Sequence, residues 1–181
     1  MRYDGVVHNY LDLVPSKADD PPHRGMLNPR AVSNVTKKLA TQTYEHAAQG
    51  RMVLTLGGDH SIAIGSVAGV AKAVRERTGR EMALIWVDAH ADINTPETSD
   101  SGNVHGMPVA FLTRLCGEKK RSEAATNGDN VEDLPFTWIE DDMTINLAKL
   151  VYIGLRDVDR GEKAILRENN NKAFSMHDID R

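Results

Sequence analysis

The sequence predicts an α/β fold built on a parallel sheet. Three observations carry that prediction. Residues 28 to 87 alternate helical and strand patterns in the order helix, strand, helix, strand. Three short apolar runs, Met52–Leu56, Met82–Val87 and Leu150–Gly154, are bounded by polar residues and lack the in–out alternation of a half-exposed strand. Each run breaks directly into a polar motif: GGDHS at 57–61, DAHAD at 88–92 and RDVD at 156–159. In a parallel sheet all three exits lie on one edge, which is where ligands bind in open α/β folds.

In order, residues 3 to 13 hold a short apolar and aromatic segment, read as a strand. Pro15, Pro21, Pro22 and Gly25 make 14–27 a loop, in which His23 is read as solvated. Asn28-Pro29 has the form of an N-cap followed by proline at the first helical position. Val32, Val35 and Leu39 then recur at helical spacing, and Gly50 is a stop. His46, near the helix end, is read as a surface residue. After the strand at Met52–Leu56, the paired glycines of GGDHS permit a tight turn. The next helix places Val67, Val70, Ala71 and Val74 on one face and ends near Gly79, with Asp59 or Ser61 as its cap.

Beyond DAHAD the chain runs through a polar loop to Pro108, which opens a helix carrying Val109, Leu112 and Leu115 inward. Cys116 is a small helix-end residue with no base beside it. Residues 117–135 are polar and charged and read as an exposed insertion without chemistry. A short helix is expected over 141–149, another around 162–168, and a short strand near 173–176.

The bulk properties narrow the function classes. The chain has 181 residues, enough for one domain with a sizeable core. Twenty-six acidic and 22 basic residues give a net charge of −4, with no basic footprint for nucleic acid. One cysteine precludes an internal disulfide. No apolar run approaches the ~20 residues of a membrane span, and the start lacks a signal-peptide pattern. These features are those of a cytoplasmic protein.

The strand exits bring His60, Asp88, His90 and Asp92 to one edge, with Asp59 nearby. Carboxylates packed this tightly repel one another and are costly to desolvate without a partner. A divalent cation is the simplest partner; an Asp/His turn bonded to backbone is the alternative. Imidazoles mixed with carboxylates suit manganese, zinc, iron or cobalt better than calcium. A shared carboxylate can bridge two ions roughly 3.5–4 Å apart, and Asp88 is central in the set. His105, at a helix start, is placed either for proton transfer or for holding its loop. Asn94, Ser101 and Asn103 could orient a small polar substrate or stabilise turns. Asp157, Asp159 and Glu162 form an acidic edge that could receive a cation or cap a helix.

Four segments make a specific likeness: LTLGGDHSIAIGS (54–66), IWVDAHADINTP (85–96), SGNVHGMPVAFL (101–112) and VYIGLRDVDRGE (151–162). Together they make the sequence closely resemble the ureohydrolase family, and within it the arginases, over nearly the whole chain. The resemblance implies a three-layer α/β/α sandwich and a binuclear manganese centre hydrolysing L-arginine to L-ornithine and urea. It implies that His60 binds one manganese and His90 the other, that Asp88 bridges them and that Asp92 stays on the His60 side. His105 would shuttle protons. Asn94 and Ser101, helped by Ser99 and Asn103, would hold the substrate α-carboxylate. Asp159, with Glu162 behind it, would receive the α-ammonium group. A homo-oligomer, commonly a trimer, is expected of the family.

The chain departs from the family pattern at Ala91 and Ser99, where threonine is usual, and at Arg160, where proline is usual. The resemblance also implies a further strand ending in Asp-x-Asp and a later glutamate that grips the guanidinium. Neither has a counterpart in these 181 residues, so residues 1–181 are expected to form one partial, incomplete domain of this kind. Asp178 and Asp180 are not expected to supply that pair, because MHDIDR matches a structural helix start. Two further readings stay open: another ureohydrolase, such as an agmatinase or guanidinobutyrase, and a truncated, non-catalytic arginase-like chain.

Overall fold

A computed structural model describes residues 20–118, 120 and 134–181. The strand expected over 3–13 lies outside them, as does most of the 117–135 insertion. The first long element is helix α1, Pro29–Ala48. Proline stands at its first turn as expected, but Asn28 does not cap it: Asn28 is left-handed, with φ 50°, and its side chain makes no capping bond. The cap comes from further away. The carboxylate of Asp20 accepts from the backbone N–H of Arg30 (3.0 Å) and of Ala31 (2.8 Å). Helix α2, Ile62–Thr78, ends at Gly79, whose φ of 66° favours glycine. It packs on α1 through small residues, with Gly65, Ala68 and Gly69 buried, rather than through the expected stripe of valines. Val67, Val70 and Val74 are only half-buried. The contact is close because a Cβ at Gly65 would lie 2.3 Å from the Thr36 carbonyl oxygen, and one at Gly69 would lie 2.2 Å from that of Ala40.

Three parallel strands form the sheet in the order β1–β2–β3: β1 Leu84–Val87, β2 Leu150–Leu155 and β3 Lys172–Ser175. Trp86 pairs with Tyr152, and Val87 with Ile153. The Met52–Leu56 run is not a strand here: residues 51–57 form no ladder with a described strand, and Met52, Leu54 and Leu56 are exposed. The in–out pattern of Val53 to Leu56 is that of an extended chain whose ladder has no partner among the described residues.

Helices cover one face of the sheet. Trp86, Leu150 and Tyr152 turn into a core with Ile64, Ala91, Ile93, Val109 and Phe111. The opposite face carries Ile85, Val87 and Phe174, which are 64 %, 73 % and 53 % exposed. Two of the three expected layers are therefore present among the described residues, and the α/β sandwich is incomplete as expected. This sidedness has a measurable consequence. Val87→Thr changes the free energy of unfolding of this chain by less than about 0.5 kcal/mol in a urea titration; a loss near 2 kcal/mol, typical of a filled core, would contradict an open face.

The remaining elements are short. Helix α3, Pro108–Leu112, stops before Leu115, because Arg114 takes φ 65° and the chain turns. Cys116, just beyond, is buried, and burial pushes its thiol pKa well up, which disfavours the thiolate. Glu118, at the start of the expected insertion, is tied to Arg24 at 2.6 Å, so that end of the segment is anchored. The helix expected over 141–149 is instead two single 3-10 turns, Asp141–Met143 and Leu147–Lys149. Ile145 breaks them apart by donating its N–H to the Leu112 carbonyl, and Asn146 caps the second turn. Helices α4, Arg160–Glu168, and α5, Met176–Ile179, both begin with a capping box. In α5 that box uses Asp178, in keeping with the helix-start reading of MHDIDR.

Candidate metal centre

The DAHAD motif is held by the backbone on both sides. The Asp88 N–H continues the ladder to the Ile153 carbonyl at 3.1 Å. The N–H groups of Arg156 and Asp157, at the exit of β2, both donate to the Ala89 carbonyl (2.9 and 3.0 Å). The Tyr152 hydroxyl donates to the Ala91 carbonyl at 2.9 Å. Its phenol is buried, and burial raises its pKa. Asp92 is left-handed, with φ 47°, a conformation that aspartate tolerates better than most residues. Its carbonyl accepts from the Val109 N–H at 2.9 Å, which locks that turn onto α3.

This frame brings three side chains together. Nδ1 of His60 lies 3.0 Å from Oδ2 of Asp88 and 2.6 Å from Oδ2 of Asp92. One donor atom from each residue falls within 4.8 Å of the others, a spacing that can hold a metal ion. Asp88 is also shared: its Oδ1 lies 3.3 Å from Nδ1 of His90, whose Nε2 is 3.6 Å from Asp157. His90 stands beside the three-residue cluster rather than within it. The His60 imidazole is held above its ordinary pKa, chiefly by its hydrogen bond to Asp92, against the opposing effect of burial; the charges of Asp92, Asp88 and Asp59 add to the shift. The donor set fits a divalent cation, because a cation in place of the imidazole proton answers the same clustered negative charge.

The other residues singled out in the sequence lie around this centre. Asn94 is buried; its Nδ2 donates to Asp159 at 2.5 Å, and its Oδ1 accepts from Thr98 at 2.8 Å. The Asn94 N–H reaches the Gly106 carbonyl, next to His105, at 3.1 Å. His105 is exposed on the 3-10 turn Val104–Gly106. Ser99 and Ser101 accept from the N–H groups of Gly102 and Asn103. Asn103 pairs in an isolated bridge with Leu27. Asp159 and Glu162 form the capping box of α4. Glu162 is 4 % exposed and also accepts from the Ile93 N–H at 3.4 Å, so it ties α4 to the loop after DAHAD. Burial raises its carboxyl pKa, against hydrogen bonds that lower it.

Sequence reasoning missed four contributors. Tyr152 and Trp86 were indistinguishable from core residues, because they occupy inward positions of apolar strands. Thr98 carries no motif. Gly161 leaves room for the Asn94–Thr98 pair: a Cβ there would lie 2.9 Å from Oδ1 of Asn94 and 3.0 Å from Cβ of Thr98; a glycine next to the acidic RDVD exit was the one available signal.

The sequence model of the arginase family matches residues 8–181. The chain is 64 % identical over 178 residues to an arginase of Neurospora crassa, covering 98 % of this chain and 46 % of that protein. The crystal structure of a cold-adapted arginase from Glaciozyma antarctica aligns with a TM-score of 0.67 at 48 % identity, over 84 % of this chain and 48 % of that one. That of an Entamoeba histolytica arginase in complex with L-ornithine aligns with a TM-score of 0.67 at 29 % identity, over 92 % and 50 %. The chain thus spans about half the length of the relatives it matches. With a match running from residue 8 to residue 181, and with its His/Asp cluster at the strand exits of an arginase-like sheet, the chain belongs to the arginase family.

Proposed function

We propose that this chain carries a large part of a manganese centre that hydrolyses L-arginine to L-ornithine and urea. One observation carries the reading: Asp88 is shared between His60 and His90 while Asp92 closes on His60, an arrangement suited to two ions with a bridging carboxylate. His60, Asp88, His90 and Asp92 would hold the manganese, which would supply a water made acidic enough to act as a nucleophile near neutral pH.

The chain's other residues supply what a guanidinium needs. It is a poor electrophile, so it must be positioned, and its departing amine must receive a proton. His105, exposed beside the Asn94 loop, hands that proton over. Asn94, Ser99, Ser101 and Asn103 offer neutral hydrogen-bonding groups to the α-carboxylate. Asp159, with Glu162 holding α4 behind it, offers negative charge to the α-ammonium group. The L-ornithine bound to the Entamoeba histolytica arginase is the expected product, which supports the substrate class. Among the described residues no helix is long and apolar enough to cross a membrane. A cytoplasmic enzyme of arginine breakdown and the urea cycle, assembled as a homo-oligomer, with residues 1–181 forming part of one domain, fits this reading.

The test is a chimera in which this chain replaces the matching segment of the Neurospora crassa arginase, assayed for urea with manganese and L-arginine. Urea release with L-arginine, and none with agmatine, is the expected result. No urea from a folded chimera overturns the catalytic reading. Preference for agmatine, which lacks the α-carboxylate, overturns the substrate and favours another ureohydrolase.

A further inference from the structure

Trp86 lies face to face with His60, with ring centroids 4.4 Å apart and planes inclined by 25°. This contact joins the turn that carries His60 to the sheet, beside the ion pairs from His60 to Asp88 and Asp92. His60 sits on a turn whose preceding segment, 51–57, pairs with no described strand. The turn is braced mainly from within: Asp59 accepts from the N–H and hydroxyl of Ser61, and the His60 carbonyl accepts from Ala63 at 3.0 Å. The backbone therefore sets where His60 starts but not how its ring is turned. The Asp88 and Asp92 carboxylates attract Nδ1, yet an ion pair to a single nitrogen leaves the ring plane free to swing. A broad flat wall removes that freedom.

Trp86 is suited to be that wall. It is 4 % exposed, and it is paired to Tyr152 through the sheet. It stands two residues before Asp88, so one strand direction delivers both the platform and a ligand to the same side. Its indole N–H finds no acceptor among the described residues, so hydrogen bonding does not account for the ring. Stacking does.

We infer that Trp86 is a positioning residue for the metal centre: its indole face holds the His60 imidazole with Nδ1 aimed between Asp88 and Asp92, and so preorganises the site for a divalent cation. The inference rests on the metal reading of the site. Trp86 touches no reacting atom; it acts through His60, as outer groups that orient a metal ligand do.

The experiment is a titration of this 181-residue chain with Mn2+ alone, following the paramagnetic resonance of the free ion. Trp86→Leu lowers Mn2+ affinity by about tenfold, at the upper end of an aromatic pair's contribution. Trp86→Phe keeps a flat ring, loses no hydrogen bond and stays within about threefold of the native chain. In a His60→Ala background Trp86→Leu causes no further loss, because there is no ring left to orient. Should Trp86→Leu fail to fold, as judged by circular dichroism, Trp86→Met fills similar volume without a ring face and takes its place. Native affinity in the Leu or Met variant overturns the inference, as does an equal loss with and without His60. If His60→Ala itself leaves Mn2+ affinity unchanged, the metal reading fails, and this inference fails with it.

Discussion

Asp92→Asn lowers the affinity of this chain for Mn2+ by about 100-fold or more, while the melting temperature of the metal-free chain stays within about 5 °C. The expectation follows from where the carboxylate sits. Its Oδ2 is 2.6 Å from Nδ1 of His60, and the residue is 6 % exposed, so a cation placed there meets its charge with little water between them. Outer groups that merely orient a ligand are worth 10- to 100-fold in metal affinity, and a charged ligand removed outright costs at least as much. Asparagine keeps the size of the side chain and tolerates the left-handed backbone at φ 47°. The fold therefore survives the change and the charge does not. Isothermal titration with Mn2+, alongside a thermal melt, separates the two effects. Native affinity in a folded Asp92→Asn chain would remove Asp92 from the centre, and with it the three-donor cluster.

That centre was legible in the sequence because its residues sit at strand exits, and strand exits are marked twice: by the apolar run that ends and by the polar motif that begins. Leu84–Val87 and Leu150–Leu155 are strands within two residues of expectation for this reason. Met52–Leu56 shows the limit of the same rule. Its composition states a strand, but a strand is a pair, and pairing depends on a neighbour that no local pattern names. Distance in sequence hid other features too. Asp20 caps α1 from ten residues before Arg30, while the nearer Asn28 offers the right chemistry in the wrong conformation. The 141–149 segment has helical composition, yet the bond from Ile145 to Leu112 splits it into two turns. Trp86 and Tyr152 read as core, which they are; that they also press on His60 and hold the Ala91 carbonyl is decided by the sheet register. Asn94 and Asp159, assigned to the carboxylate and the ammonium group on one α-carbon of the substrate, hydrogen-bond to each other. Proximity of that kind comes from packing α4 against the DAHAD loop, not from either motif.

The seam between α1 and α2 gives the other large effect. Gly69→Ala destabilises the chain by about 3 kcal/mol in a urea titration. Intrinsic preference points the other way, since alanine inside an exposed helix gains about 1 kcal/mol over glycine. The seam decides the sign. A Cβ at Gly69 would stand 2.2 Å from the Ala40 carbonyl oxygen, 2.1 Å from Oγ1 of Thr43 and 2.9 Å from the Tyr44 nitrogen. The hydroxyl can be removed, but the two backbone atoms belong to α1 and move only if the helices part. Thr43→Ala in the same chain therefore restores only a fraction of the loss. Gly58→Ala is the matched control: nothing lies within 4 Å of its Cβ, and it changes stability by less than about 0.5 kcal/mol. Because α2 begins one residue after Ser61, parting the helices also shifts the turn that carries His60 relative to Asp88 and Asp92. Gly69→Ala should therefore weaken Mn2+ binding in the chains that remain folded, although the glycine touches no ligand. A stabilised Gly69→Ala chain would mean that the two helices do not meet at this seam.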